Sequence, residues 1–189
     1  MRGSPGEHRA ADLERLFARE FAASHQTLLV GGAPEPLYLP AAHGRRWHLL
    51  HYREDFFASA LHEVAHWCIA GPARRRRVDF GYWYAPEGRD ARQQAAFERV
   101  EVAPQALEWI FAEAAGAHFA PSSDNLDSGV ERPSASFLAA LAQRARDWCR
   151  EGLPARAARF VRALEAFYGT RGALDPGRYR EEALGVRHP

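Results

Sequence analysis

The pentapeptide His62-Glu63-Val64-Ala65-His66 constrains this chain more than any other feature. On a helix, residues four apart face the same way, so this spacing lets two imidazoles share one metal ion. Leu61, Val64, Ala65 and Cys68 form the apolar stripe that would seat such a helix on a core, which makes Cys68 a buried residue. Asp55 stands where an N-cap belongs and Gly71-Pro72 stops the run, so the spacing predicts a helix from Phe56 to Ala70. Glu63 projects about 100° round that helix from His62, placed to act as a base or as the partner of a ligand.

Two histidines leave a third ligand to find. The extended metalloprotease pattern needs glycine and histidine at positions 69 and 72, where this chain has Ile69 and Pro72. A carboxylate is the remaining source. Glu98, Glu101 and Glu108 share one face if the chain stays helical from 98 to 108. Glu101 lies just before the helix that Pro104 is expected to start, near an N-terminus where a carboxylate is easily held. Two histidines and one carboxylate leave coordination positions open. That set suits non-haem iron(II) and oxygen, and it equally describes a glutamate-type zinc peptidase with Glu63 as general base. Spacing alone does not choose between them.

The rest of the chain is organised as one helix-dominated α+β domain over residues 1–189 with a small sheet, its ends at 1–8 and about 170–189 loosely ordered. Helices are expected from Arg9 to about Ala23, Asp90 to about Val100, Pro104 to Ala115, Ser134 to Arg150 and Pro154 to Tyr168. Thr27 to Val30, Trp47 to Tyr52 and Val78 to Tyr84 read as strands, and Pro34 to Pro40 as extended chain. All 25 basic residues are arginine, so Schiff-base chemistry and Walker-A phosphate binding are excluded. A formal charge of +1 gives no general attraction to nucleic acid. Two cysteines make no disulfide framework, and neither an export signal nor a membrane span is legible, which predicts a cytoplasmic protein.

Several further blocks carry the same signal. Glu35 to Pro40, Ala58 to Gly71, Val78 to Tyr84, Gly88 to Ala91, Phe97 to Val102, Pro104 to Leu107, Asp124 to Leu126 and Pro154 to Phe160 together resemble the bacterial elongation factor P hydroxylases. The resemblance implies a metal-dependent hydroxylation of one lysine of elongation factor P, a lysine that already bears a β-lysyl group. It also implies a largely helical, zincin-like scaffold in place of a double-stranded β-helix. Carried onto this chain, it makes His62 and His66 metal ligands, with Glu101 as the carboxylate and Glu98 as its competitor. Iron(II) is the implied cofactor, although zinc is possible as purified. The implied partners are β-lysylated elongation factor P and molecular oxygen, with no nucleic acid and no membrane. Glu63 would then orient a ligand or relay a proton.

Other residues are open to two readings. Arg74 to Arg77 is either a solvated loop or a docking point for an acidic partner. Phe80, Tyr82 and Tyr84 share one strand face and could pack the sheet or line the site as a wall for a cationic lysine tail. Asp79, Asp90 and Asp124 could balance substrate ammonium groups or serve as caps and turns. His43, His48 and His51 are read as ordinary surface or packing histidines.

Overall fold

The computed structural model describes residues 7–42, 44–79, 89–122 and 133–184. The amphipathic pattern of the first segment forms α1, Ala10–His25, whose Leu13, Leu16, Phe17 and Phe21 are buried. Three strands follow: β1, Thr27–Ala33; β2, Leu37–Leu39; and β3, His48–Arg53. They make a small sheet ordered β1-β3-β2, with β1 parallel and β2 antiparallel to the central β3. The sheet edge is extended at one point, where Tyr38 and Asp79 form an isolated antiparallel bridge. Most of the strand expected from Val78 to Tyr84 lies outside the described residues, as do Phe80, Tyr82, Trp83, Tyr84, His43 and Asp124.

The motif helix is α2, Phe57–Ile69. Its N-cap is Phe56 without a side-chain hydrogen bond, so Asp55 does not cap it. Apolar burial of Ala60, Leu61, Val64, Ala65, Trp67 and Cys68 holds it in place instead. Its C-terminal end is secured from a distance. Nη2 of Arg156 donates to the carbonyls of Cys68 (3.0 Å) and Ala70 (2.7 Å), while the guanidinium lies 4.6 Å over the Trp67 ring. A cation at a helix C-terminus satisfies open carbonyls and opposes the negative end of the dipole.

The two helices expected on either side of Pro104 are one. α3 runs unbroken from Ala91 to Ala115 with Pro104 inside it. Asp90 and Gln93 close its start with a reciprocal capping box, which accounts for Asp90. Proline forfeits one backbone hydrogen bond, but Ala106, Leu107, Trp109, Ile110, Phe111 and Ala112 are all buried beyond it. Packing against α2 and two later helices outweighs the local break. Those helices are α4, Ala135–Glu151, and α5, Ala155–Tyr168. A short α6, Glu181–Leu184, ends the described chain.

The chain after 170, expected as a loose end, sends Ala173 and Tyr179 into the core. Tyr179 has no exposed surface, its ring meets Trp109 edge-on at 5.0 Å, and its hydroxyl donates to the Ala173 carbonyl. One core cluster joins α1, the sheet, α2, α3, α4 and α5. Among the described residues, no helix is long and apolar enough to cross a membrane.

Candidate metal centre

α2 and α3 pack against each other, and the site lies in their seam. His62 and His66, one turn apart on α2, bring their Nε2 atoms within 3.0 Å of each other. Two ring nitrogens at that distance must share a proton or a cation. Glu101 of α3 faces both: its Oε2 lies 3.6 Å from His62 Nε2 and its Oε1 3.4 Å from His66 Nε2. The ligand atoms of these three residues all fall within 4.8 Å of one another. Metal bonds of about 2.0–2.2 Å at tetrahedral or octahedral angles put neighbouring ligand atoms about 2.9–3.5 Å apart. The donor set therefore fits a divalent metal in both chemistry and spacing.

Two of the three donors are held from behind. Glu108 Oε2 accepts from His62 Nδ1 at 2.8 Å, which leaves Nε2 as the nitrogen available to a metal and fixes the ring. Glu101 is buried, and Gln105 Nε2 reaches its Oε2 at 3.4 Å. Gln105 is itself locked to the backbone of Ser122, donating to its carbonyl and accepting from its N–H, both at 3.0 Å. Glu101 thus sits within a continuous helix, away from any N-terminus, and its support comes from side chains and not from a helix dipole.

The other acidic candidate is occupied elsewhere. Glu98 accepts from the Ser134 N–H at 3.2 Å and from the Ser134 hydroxyl at 2.5 Å, so it ties α3 to the cap of α4. One helical turn separates Glu98 from Glu101, yet only Glu101 meets the histidines.

The electrostatics favour a cation. Burial pushes the His62 imidazole down, but the hydrogen bond and charge of Glu108, with Glu101 and Glu63 nearby, hold it up at about 10. Burial acts on Glu101 in the opposite sense from its neighbours, and the His66 hydrogen bond and the two imidazoles prevail, keeping its carboxyl at about 2. Burial raises both Glu63 and Glu108, against the pull of the histidines. Protons and carboxylates already balance here, and a divalent ion can replace the protons.

Beside His66 lies a small cavity of about 40 Å³, lined by Tyr38, Leu50, Glu63, His66, Trp67, Ala70, Arg74, Arg75 and Asp79. Its wall divides the arginine run. Arg74 pairs with Asp79 and Arg75 Nη1 donates to the Ala70 carbonyl at 2.9 Å, whereas Arg76 and Arg77 are exposed. His48 is a packing residue, as its sequence context suggests: its Nδ1 meets the Tyr38 hydroxyl at 2.9 Å and the Ala41 N–H at 3.0 Å.

Sequence reasoning placed Glu108 on the right face without giving it a task, and it missed Gln105, Ser122, Arg156 and Trp67. Gln105 had one available signal, its position four residues after Glu101 on a shared helix face. Nothing local marks Arg156, which reaches α2 across 86 and 88 residues of chain.

Comparison with known proteins identifies the family. The family model for elongation factor P hydroxylase matches residues 16–178. A Haemophilus influenzae protein named elongation factor P lysine hydroxylase is 42% identical over 173 residues, covering 92% of this chain and 97% of that protein. The matched span contains α2, α3 and every residue of the His62–His66–Glu101 cluster, and the chain belongs to the elongation factor P hydroxylase family.

Proposed function

We propose that this protein is an iron-dependent hydroxylase that adds one oxygen atom to the β-lysyl-modified lysine of elongation factor P, in the cytoplasm, as the last step of that modification. The observation that carries the reading is the convergence of His62, His66 and Glu101 at ligand spacing, in a chain of this family. Neither the family match nor the relative's name supports the zinc peptidase alternative.

In this reading His62, His66 and Glu101 would hold the metal, and three protein donors would leave coordination positions for other ligands. Iron(II) bound there supplies the oxygen-activating chemistry. The chain's own residues do the rest. Glu108 keeps the His62 ring in one tautomer and orientation, and Gln105 keeps Glu101 turned toward the histidines. Glu63 orients the group entering the cavity and relays a proton, a task that suits a half-buried carboxyl raised by burial. Tyr38, Leu50 and Trp67 shield the reacting methylene from bulk water.

The test is mass spectrometry of intact elongation factor P, with and without its β-lysyl group, incubated with iron-loaded enzyme in air with ascorbate. One atom of dioxygen enters a C–H bond, the other leaves as water, and the two-electron donor balances the exchange. A gain of one oxygen on the β-lysylated form alone is expected. No oxygen gain, with cleavage of the protein instead, would hand the site to hydrolysis.

A further inference from the structure

His66 stands in the last turn of α2, which ends at Ile69, and helix ends fray. A metal ligand placed there keeps its direction only if the turn itself is held. The Ala70 N–H donates to the His66 carbonyl at 2.9 Å, which ties the two residues together. The carbonyls of Cys68 and Ala70 both accept from Nη2 of Arg156, at 3.0 and 2.7 Å. The same guanidinium lies over the ring of Trp67, the residue directly after His66. Arg156 therefore grips this turn by its backbone and by a buried side chain at once. It does so from α5, a helix that carries none of the three donors.

Stability alone does not account for this residue. The Arg156 Nε–H is buried with no hydrogen-bond partner among the described residues, and a buried unmatched donor costs free energy. Arg75 Nη1 donates to the same Ala70 carbonyl at 2.9 Å, so a second guanidinium stands beside the first and repels it. An uncharged side chain of similar length would pack on Trp67 without either cost. What it would not do is hold two carbonyls in one place.

We propose that Arg156 is a positioning residue of the metal centre. By fixing the Cys68 and Ala70 carbonyls and the Trp67 ring, it sets the direction of the His66 imidazole toward His62 and Glu101. The inference rests on the metal-centre part of the proposed function and extends it to α5. Glu108 orients His62 and Gln105 supports Glu101, each by a side chain, whereas Arg156 acts on the remaining donor through the backbone. Ligand groups work only when held within about 0.5 Å of their geometry, a tolerance that a loosened last turn exceeds.

Cobalt(II), added without air to the metal-free full chain, gives two readouts that do not depend on turnover: affinity and the visible ligand-field spectrum. Arg156→Met keeps a stem over Trp67 and removes the grip on both carbonyls. It should weaken cobalt binding about tenfold, the lower end of the range for losing a group that orients a metal ligand, and should change the spectrum. Arg156→Lys, whose ammonium can still reach the carbonyls, should recover most of this and leave a loss of about threefold. Arg159→Met is the control. Arg159 lies on the same helix but bonds Glu20 and Ser24 of α1 and stacks over Phe21. That variant should keep wild-type affinity and spectrum, whatever it loses in Tm. Wild-type affinity and spectrum in Arg156→Met overturn the proposal, and so does an equal loss in Arg159→Met, which would mean a general loosening of α5. If Arg156→Met does not fold, Arg156→Lys decides: weaker binding with a shifted spectrum supports the proposal, and wild-type values overturn it. Cobalt retained by His66→Ala with an unchanged spectrum would sink the metal-centre reading itself, and the proposal with it.

Discussion

The two sides of α2 are built on opposite terms. On the side turned to α3, polar groups are already matched: His62 to Glu108, Glu101 to both histidines and Gln105, and Gln105 to Ser122. On the side turned to the cavity, Tyr38, Leu50, Trp67 and Ala70 make a largely apolar wall, with Glu63 and the Arg74–Asp79 pair beside it. A saturated shell holds its ligands in one geometry before anything binds, which suits a small ion with fixed bond lengths. A small space with a largely apolar wall keeps water out and admits a short chain, which suits a substrate side chain. One helix of thirteen residues thus separates rigidity from recognition by the direction its side chains take.

The comparison breaks most sharply at the ligands. His62→Ala, His66→Ala and Glu101→Ala should each abolish stoichiometric iron binding and activity while far-UV circular dichroism stays native, since the core cluster does not depend on the site. Metal analysis of each purified variant decides it. Full iron content in any of the three would place the site elsewhere. Glu98→Ala should keep its metal and lose stability, because it removes the Ser134 tie at the start of α4. A cost of about 1 kcal/mol and a drop in Tm of about 2–4 °C are expected. The reverse ranking of Glu98 and Glu101 would overturn the assignment of the third ligand.

The supporting shell should give a smaller effect of the same kind. Glu108→Ala removes the acceptor behind His62 Nδ1 and should weaken metal affinity about 10–100-fold without abolishing binding. Gln105→Ala should cost less, as its contact to Glu101 is the longer one at 3.4 Å. Titration with iron under anaerobic conditions measures both. Unchanged affinity in Glu108→Ala would mean that the matched side is not preorganised for the ion, and the contrast between the two sides would lose its basis.

Much of this arrangement was legible beforehand because it is local. Four-residue spacing places His62 and His66 together, and the apolar stripe of Leu61, Val64, Ala65 and Cys68 sets which side of α2 meets the core. The helix-dominated α+β class follows from similar periodicities. Pro104 misled because proline's effect is local and the packing that overrides it is not: the burial of Ala106 to Ala112 is supplied by distant helices. Tyr179 was unreadable for the same reason, since its partner Trp109 lies on α3. The choice of Glu101 over Glu98 depends on which α3 residues meet α2 and which meet Ser134, a matter of helix docking that no spacing within α3 records. The buried indole N–H of Trp67, without a partner among the described residues, is the extreme case, because burial by distant neighbours leaves no local mark.

The smallest expected effect concerns how the partner protein reaches the cavity side. The four-arginine run invites a single docking role, but its halves differ. Arg74 and Arg75 are engaged, to Asp79 and to the Ala70 carbonyl, and both line the cavity. Arg76 and Arg77 are exposed, with no side-chain hydrogen bond or ion pair among the described residues, and Val78 beside them is 52% exposed. Exposed charges steer encounter and contribute little each, so Arg76→Ser and Arg77→Ser should lower affinity for elongation factor P about two- to fivefold apiece. The loss should fall on the association rate and shrink as salt rises past about 0.15 M. Changing Arg74 or Arg75 should behave differently: the wall of the cavity loosens, so the deficit persists at high salt and the preference for the β-lysylated form falls. Association and dissociation rates measured at two salt concentrations separate these outcomes. If all four variants share one salt-dependent deficit, the run is a single docking patch and the cavity wall does not depend on it.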